Sequence, residues 1–406
     1  MIKIRLYSAG DYLDLNHKIS NYFSLLPLPP MVIAVNTRFL QKDRLEGYGY
    51  FTREVFLRLA ATHPEHEFYF LFDRPFDKEF IVASNIHPVV IPPAARHPIL
   101  WKYWFDIKVP LALKKIKAGV FISPDGFCSL TTSVPQCLVI HDLGFLHYPQ
   151  GYHKSHLLFY KNYTPKFLKK AKSVVTVSQF SKNDLIRHYK ISPDKVKVVY
   201  SAVKDIFKPL IPEIREEIKE TYTTGKEYFI YVGSIHPRKN LLNLLKGFSI
   251  FKKRLRSNMK LVLAGRMGWK NNTFQKQLKT YKYREDVIIT EYIEEEDLAR
   301  LVGSAYALIY PSFFEGFGVP VLEAMKCGIP ALTSEKTAMQ EIAGEAGLYF
   351  NPHDHTDIGE KLMLIYKDEN LRSRLIQKGH EIASAYSWQH TADLLWEAIE
   401  NFKVNV

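Results

Sequence analysis

Short apolar, β-branched runs separated by helix-length stretches recur along most of the chain. The first convincing run is Met31-Val-Ile-Ala-Val35, of the kind that forms a strand covered on both faces in a parallel sheet. A polar loop with Gly47-Tyr48-Gly49 follows, then a helical pattern over 50–59 and a strand over 67–72. The alternation continues with strands over 89–91, 120–122, 136–140, 173–177 and 196–200. Helices are expected over 100–116, over 155–170 and from Ser181 onward. From 202 to 226 the pattern is broken by Pro209 and Pro212 and then by a charged helix, which reads as a linker. A second series of strands runs through 228–232, 260–264, 287–289, 306–310, 329–332 and 347–350 with helical stretches between. Repeated strand-helix alternation predicts α/β architecture, with two doubly wound, Rossmann-like parallel sheets facing across a cleft. The expected boundaries are 31–205 for the first domain, 206–386 for the second, and 387–406 for a last helix crossing back to the first. Residues 1–30 show no period and read as an N-terminal extension of uncertain structure.

Length agrees with this division, because 406 residues exceed one ordinary core and suit two. The composition is globular, without low-complexity tracts or fixed-period repeats, which excludes disorder and solenoids. Cys128, Cys137 and Cys327 are few, odd in number and lack metal-ligand spacing, so a cytoplasmic location is expected. The apolar run before Val35 is broken by Pro27, Pro29 and Pro30, and neither a secretion signal nor a membrane span is read.

Charge adds one feature. Residues 1–205 hold 28 Lys/Arg against 16 Asp/Glu, whereas the remainder is nearly balanced, so the first domain carries almost all of the net +13. Twelve basic residues fall between Lys154 and Lys204, with Lys166, Lys169, Lys170 and Lys172 interleaved with aromatics. Such a stretch attracts an anionic surface, or is simply a solvated helix face.

Two segments carry chemistry. In Tyr310-Pro-Ser-Phe-Phe-Glu315-Gly316-Phe317-Gly318-Val319-Pro320-Val-Leu-Glu323, the glycines permit a tight turn with exposed amides, and Pro320 suits the first turn of a helix. A helix that begins after exposed amides is a phosphate site. Glu315 and Glu323 then offer carboxylates to hydroxyls of a sugar and a ribose. An isolated pair with this spacing is more often one turn residue and one helix-face residue. In Val232-Gly233-Ser-Ile-His236-Pro-Arg238-Lys239-Asn240, another strand-to-helix turn presents a guanidinium and an ammonium suited to a leaving diphosphate.

Taken together, and with Gly47-Tyr-Gly49, Val139-Ile-His141-Asp142, Ser178-Gln-Phe-Ser181, Leu263-Ala-Gly265 and Ser387-Trp388, these segments make the chain from Met31 to about Phe402 resemble the retaining glycosyltransferases of family 4, which have the two-domain GT-B fold. The resemblance implies that Arg238 and Lys239 contact the phosphates of a nucleotide sugar, joined by Gly233 and by the amides of Phe317, Gly318 and Val319 beside Gly316. It implies that Glu323 binds the ribose, Glu315 the donor sugar, and Gly265 with Tyr292 and Ile293 the base. Gly47, Tyr48 and Gly49 would lie near the phosphates or the acceptor, and His141 would face the reacting sugar, so the expected catalytic set is Glu315, Arg238, Lys239 and His141. Two positions depart from the commoner pattern: Ser234 stands where relatives carry an arginine, so the phosphate grip relies on Arg238 and Lys239, and Glu291 stands where glycine is common, which bears on base identity.

The Pro237-Arg-Lys-Asn240 turn together with the segment His141-Asp-Leu-Gly-Phe-Leu-His-Tyr-Pro149 resembles the mannosyltransferases of O-antigen assembly, which implies a GDP-mannose donor and a glycan or lipid-linked acceptor in lipopolysaccharide or other surface polysaccharide synthesis. Peripheral contact of the basic first domain with the inner, anionic membrane face is expected. No cofactor and no metal are expected, since His353, Asp354 and His355 are adjacent in a loop. Alternatives are a same-fold transferase using a UDP- or ADP-sugar with a soluble acceptor, and a basic nucleic-acid-binding protein, although no nucleic-acid motif accompanies the charge. A dehydrogenase would need Gly-x-Gly-x-x-Gly, which neither glycine turn supplies.

Overall fold

The computed structural model describes residues 30–42, 45, 47–268, 272–400 and 402. The extension expected over 1–30 lies, but for Pro30, outside the described residues.

The first sheet contains β1 (Val32–Asn36), β2 (Glu67–Phe72), β3 (Ile86–Val90), β4 (Val120–Ser123), β5 (Gln136–Val139), β6 (Ser173–Thr176) and β7 (Val196–Val198), in the order β3-β2-β1-β4-β5-β6-β7. The second contains β8 (Tyr228–Val232), β9 (Lys260–Ala264), β10 (Val287–Glu291), β11 (Ala307–Tyr310), β12 (Ala331–Ser334) and β13 (Gly347–Phe350), in the order β10-β9-β8-β11-β12-β13. All pairings are parallel, with Ile33 opposite both Phe68 and Val120, and Phe229 opposite both Leu261 and Ala307. Central strands such as β4 and β8 are buried at every residue, which a sheet achieves only when helices cover both faces. In each sheet the strand order reverses at one place, between β1 and β4 and between β8 and β11. Beyond the carboxyl ends of the strands, these are the crevices where doubly wound sheets hold ligands.

The helices used below are α1 (Gly47–Thr62), α2 (Lys154–Lys170), α3 (Gln179–Tyr189), α4 (Pro212–Thr223), α5 (Leu241–Leu255), α6 (Glu295–Gly303), α7 (Val319–Lys326), α8 (Ala338–Ala343), α9 (His355–Lys367) and α10 (Trp388–Ile399). Several boundaries differ from the sequence reading. Gly47-Tyr48-Gly49 forms the first turn of α1 and not a loop, and Gly49 is needed because a Cβ there would stand 2.7 Å from the Phe39 carbonyl oxygen. The cap of α3 is Ser178 and not Ser181: Ser178 is extended, and its Oγ accepts the Ser181 amide at 3.0 Å. β3 begins three residues early and includes Pro88, which an edge strand tolerates. The proposed linker includes α4, whose Ile218 and Thr223 are buried.

The last helix packs on the first domain. Thr391 Oγ1 on α10 donates to the Tyr200 carbonyl at 2.8 Å, and Trp396 stacks on His63 with ring centroids 3.8 Å apart.

Candidate functional site at the facing switch points

Strand β8 is followed by Gly233 (φ +137°) and β9 by Gly265 (φ +150°), both in the region that favours glycine. A Cβ on Gly265 would lie 2.1 Å from the Gly233 carbonyl oxygen, so the two strand ends touch through backbone alone. The chain then turns through Pro237–Lys239, with His236 Nδ1 accepting the Arg238 amide at 3.2 Å. Asn240 is left-handed (φ +62°) and its amide nitrogen donates to the carbonyls of Pro311 and Pro352. That lock holds the β8 turn against the turn after β11, and the Phe313 amide donates to the Arg238 carbonyl at 3.0 Å.

The charged side chains converge between these turns. Lys239 Nζ lies 2.6 Å from Glu315 Oε1 and donates to the Tyr310 hydroxyl at 2.7 Å. Arg238 Nη1 lies 3.1 Å from Glu315 Oε2 and also donates to the Phe314 carbonyl. Glu315 is only 8% exposed. Burial opposes its ionisation, but Arg238 and then Lys239 outweigh that, and the carboxyl is held at about 2. Burial likewise draws the Lys239 ammonium down from its ordinary value, with Glu315 opposing. Each ion therefore keeps the other charged.

The turn continues through Gly316 and Phe317 to Gly318 (φ +112°), which caps α7, with Pro320 in the first turn and Gly328 (φ +75°) after the last. Among the described residues, the amides of Phe317 and Gly318 donate to no protein group. Two cations and unpartnered amides at a helix start thus share one wall, a setting for a pyrophosphate.

Glu323 does not join this cluster. It lies further along α7, where burial raises its carboxyl to about 8 while Lys204 opposes and Glu295 adds to the rise. Lys204 Nζ holds the Glu295 carboxylate at 2.6 and 2.5 Å and sits 3.3 Å over the Tyr50 ring, so this second group joins α1, α6 and α7. The glutamate pair is therefore split between two environments, one ionised and one protonated at neutral pH. The E-x7-E spacing places one in the turn and one on the helix, but does not show that their charge states differ.

Gly265 pairs with Glu291, which occupies a left-handed conformation (φ +57°) that glycine would suit better. Tyr292 follows, half exposed, with the Arg266 guanidinium carbon 4.1 Å from its ring centroid, and Ile293 is partly buried beside it. Gly265 at the end of β9 borders Gly233, and Tyr292 and Ile293 follow β10, one strand further from β8.

Facing them is the switch point of the first sheet. Asn36 Nδ2 donates to Ser123 Oγ (3.0 Å) and Asp125 Oδ2 (2.7 Å), and the buried Arg38 pairs with the same carboxylate at 2.5 Å. A cavity of about 380 Å³ opens here, lined among others by Arg38, Tyr48, Trp101, Asp125, His141 and Asp142. His141 Nε2 lies 3.0 Å from the Pro124 carbonyl, which only accepts, so Nε2 carries the proton. Burial pushes its pKa down, leaving a neutral ring whose Nδ1 holds a lone pair. The Tyr48 ring meets His141 edge-on at 4.7 Å, whereas Gly47 is not among the residues lining this cavity and Gly49 serves the α1 packing described above.

The two halves touch at Gly316, where a Cβ would stand 2.3 Å from the His141 carbonyl oxygen. Sequence reading missed Arg38, Trp101, Asp125 and Lys204. Arg38 and Asp125 follow β1 and β4 directly, so the carboxyl-end rule applied to those strands was the available signal. Of the candidate metal residues, Asp354 caps α9 through the Thr356 amide and His353 stacks on Phe313. His147, Asp184 and His188 also cluster, but both Asp184 oxygens already face the two imidazoles at 2.8 and 3.2 Å.

Comparison with known proteins follows this division. Residues 47–205 match the family described as Glycosyltransferase Family 4, and residues 213–382 match Glycosyl transferases group 1. The chain is 26% identical over 362 residues to the O-antigen chain mannosyltransferase B of Escherichia coli, covering 86% of this chain and 94% of that protein. It is also 26% identical over 265 residues to the O-antigen chain mannosyltransferase RfbU of Salmonella typhimurium, covering 63% and 68%. Sucrose-phosphate synthase from Thermosynechococcus elongatus superposes with a TM-score of 0.75 at 17% identity over 91% of this chain and 98% of that one, a likeness of fold. The two family matches take the two sheets in turn, and the chain belongs to the family 4 glycosyltransferases, with the GT-B fold.

Proposed function

We propose that the protein transfers a mannosyl residue from GDP-mannose, with retention of anomeric configuration, to a glycan or lipid-linked acceptor in cell-surface polysaccharide synthesis. The donor is inferred from the mannosyltransferases that the chain resembles over most of its length. The single observation that carries the reading is the Arg238-Lys239-Glu315 cluster beside the open amides of the α7 start.

In this reading the diphosphate lies against Arg238, Lys239 and the Phe317, Gly318 and Val319 amides, which stabilise the charge that grows as the sugar departs. Glu315, fixed between two cations, is a poor nucleophile and serves as a hydrogen-bond acceptor for donor-sugar hydroxyls. The acceptor hydroxyl attacks from the face the diphosphate leaves, and the departing phosphate takes its proton. Neutral His141 offers Nδ1 to a sugar hydroxyl, and the Arg38-Asp125 cavity holds the acceptor. Tyr292, Ile293 and Gly265 border the base, and Glu323 reaches the ribose. No metal enters these steps.

A cytoplasmic site of action at the inner membrane face is part of the proposal. Among the described residues no helix is long and apolar enough to cross a membrane. Ile99, Tyr103, Ile107 and Leu111 are all exposed at every fourth position of the helical stretch 98–115, between Lys102, Lys108, Lys114 and Lys115, with Leu158 exposed on α2. Apolar residues ringed by lysines fit an anionic bilayer surface.

Calorimetric titration with GDP, UDP and ADP, followed by NMR of the product anomer, tests the reading. Tightest binding of GDP and an α-linked product from an α-linked donor are expected. Preference for UDP or ADP moves the donor to the same-fold alternative, and an inverted product overturns the retaining route. Sedimentation with anionic vesicles tests the membrane face, where Ile107→Ser with Leu111→Ser should abolish binding.

A further inference from the structure

We propose that Glu341 and Ser178 are positioning residues for sugar transfer, fastening the donor turn to the first domain through the start of α3. The inference rests on the glycosyltransferase reading of the Glu315-Gly318 turn and adds what holds that turn in place.

The start of a helix leaves its first amides without partners inside the helix. In α3 those amides are satisfied from two sides of the molecule. Ser178 Oγ accepts from Ser181 N, while Glu341 on α8, in the other domain, accepts from Gln179 N at 2.7 Å through Oε1 and from Phe180 N at 2.6 Å through Oε2. A carboxylate on the positive end of a helix is favourable twice over, as hydrogen-bond acceptor and as charge. Its partners lie 161 and 162 residues away, so the contact exists only when the domains are together.

The same helix start reaches the reaction centre. With its lone pair engaged as cap, Ser178 Oγ donates its proton to the Gly316 carbonyl at 2.6 Å, and Ser181 Oγ lies 3.1 Å from the same carbonyl and 3.2 Å from that of His141. Gly316 adjoins Glu315, whose carboxylate spans Arg238 and Lys239. His141 O presses on the face of Gly316 where a side chain would be. Glu341 therefore acts on the donor grip through α3, Ser178 and Gly316. The closed arrangement sets the distance between the donor sugar and the His141 cavity.

Nucleotide binding uses groups of the second domain only, so removing this fastening separates binding from transfer. The test compares wild type with Glu341→Ala, Glu341→Gln, Ser178→Ala and Ser178→Thr, measuring GDP affinity, kcat at saturating substrates, and small-angle scattering with GDP present. Expected are GDP affinity within twofold of wild type for all four, kcat at least tenfold lower for Glu341→Ala and Ser178→Ala, and a larger radius of gyration for Glu341→Ala. Glu341→Gln, which keeps one neutral acceptor, should fall between, and Ser178→Thr, which keeps the hydroxyl, should recover most of the rate. Unchanged kcat in Glu341→Ala, an unchanged radius, or a kcat loss matched by an equal loss of GDP affinity overturns the proposal. Failure of wild type to bind GDP, UDP or ADP instead overturns the donor-site reading beneath it.

Discussion

Replacing Glu315 by Gln keeps the shape of the side chain and removes its charge, which isolates what the carboxylate does between Arg238 and Lys239. Its carboxyl stands at about 2 against an ordinary 4.5, a net preference for the charged form of roughly 2.5 units despite burial. At about 1.4 kcal/mol per unit this is on the order of 3 kcal/mol of folding stability at neutral pH, consistent with about 3–5 kcal/mol for breaking a buried pair. The sign follows from linkage. A depressed acid contributes fully above its unfolded value and loses the contribution as pH falls through the folded one, so the gap between wild type and Glu315→Gln should be widest above pH 5 and shrink toward pH 2. The variant also leaves Lys239 buried without its counter-charge, and burial already draws that ammonium down. An anionic diphosphate restores the missing charge. GDP should therefore raise the urea midpoint of the variant more than that of wild type, while turnover falls at least a hundredfold. Urea unfolding at pH 4 and pH 7, with and without GDP, supplies all the readings. An equal destabilisation at both pH values, or a GDP shift no larger than in wild type, would refute the electrostatic account.

Three further outcomes follow from the same geometry. Arg238→Ala and Lys239→Ala should each lower kcat about 10²–10³-fold, the size of one lost transition-state charge contact, and each should also lower the urea midpoint, because Glu315 stays buried with only one of its two cations. Glu323→Gln should match wild-type stability below pH 4.5 and exceed it increasingly up to about pH 8, because a buried acid raised to about 8 costs stability as pH climbs; a flat difference in thermal unfolding across that range would exclude a raised carboxyl. Gly316→Ala places a methyl 2.3 Å from the His141 carbonyl, so GDP binding by calorimetry should persist while kcat is lost, and full activity would show that the domains need not meet there.

Much of the fold was legible because its central strands are buried on both faces. Such strands appear in sequence as unbroken apolar runs, and Tyr228–Val232 and Glu67–Phe72 were bounded correctly from the run alone. Edge strands lack that signature: Ile86–Val90 contains His87 and Pro88 and has partly exposed positions, so only its apolar end was visible. The glycines in the first turn of α1 misled for another reason. Glycine usually marks a turn, but at Gly49 it marks a close backbone approach inside a helix, and the two uses look alike in one dimension.

Legibility of the site followed sequence distance and local pattern in the same way. Arg238, Lys239 and Glu315 each sit on a strand-to-helix turn, where glycine, proline and charge occur together within a few residues, and the turns meet because β8 and β11 are neighbours in the sheet. Arg38 and Asp125 carry no comparable local pattern, being ordinary polar residues 87 apart that become a buried pair only once β1 lies beside β4. The glutamates of the E-x7-E segment show the limit most clearly. Their spacing fixes one in the turn and the other on α7, but not the charge state of either. Glu315 is ionised because two cations arrive from the β8 turn. Glu323 is raised to about 8 because burial outweighs the Lys204 ammonium, which is already bound to Glu295. A motif records which residues are present, whereas their chemistry is set by neighbours that reach them through the fold.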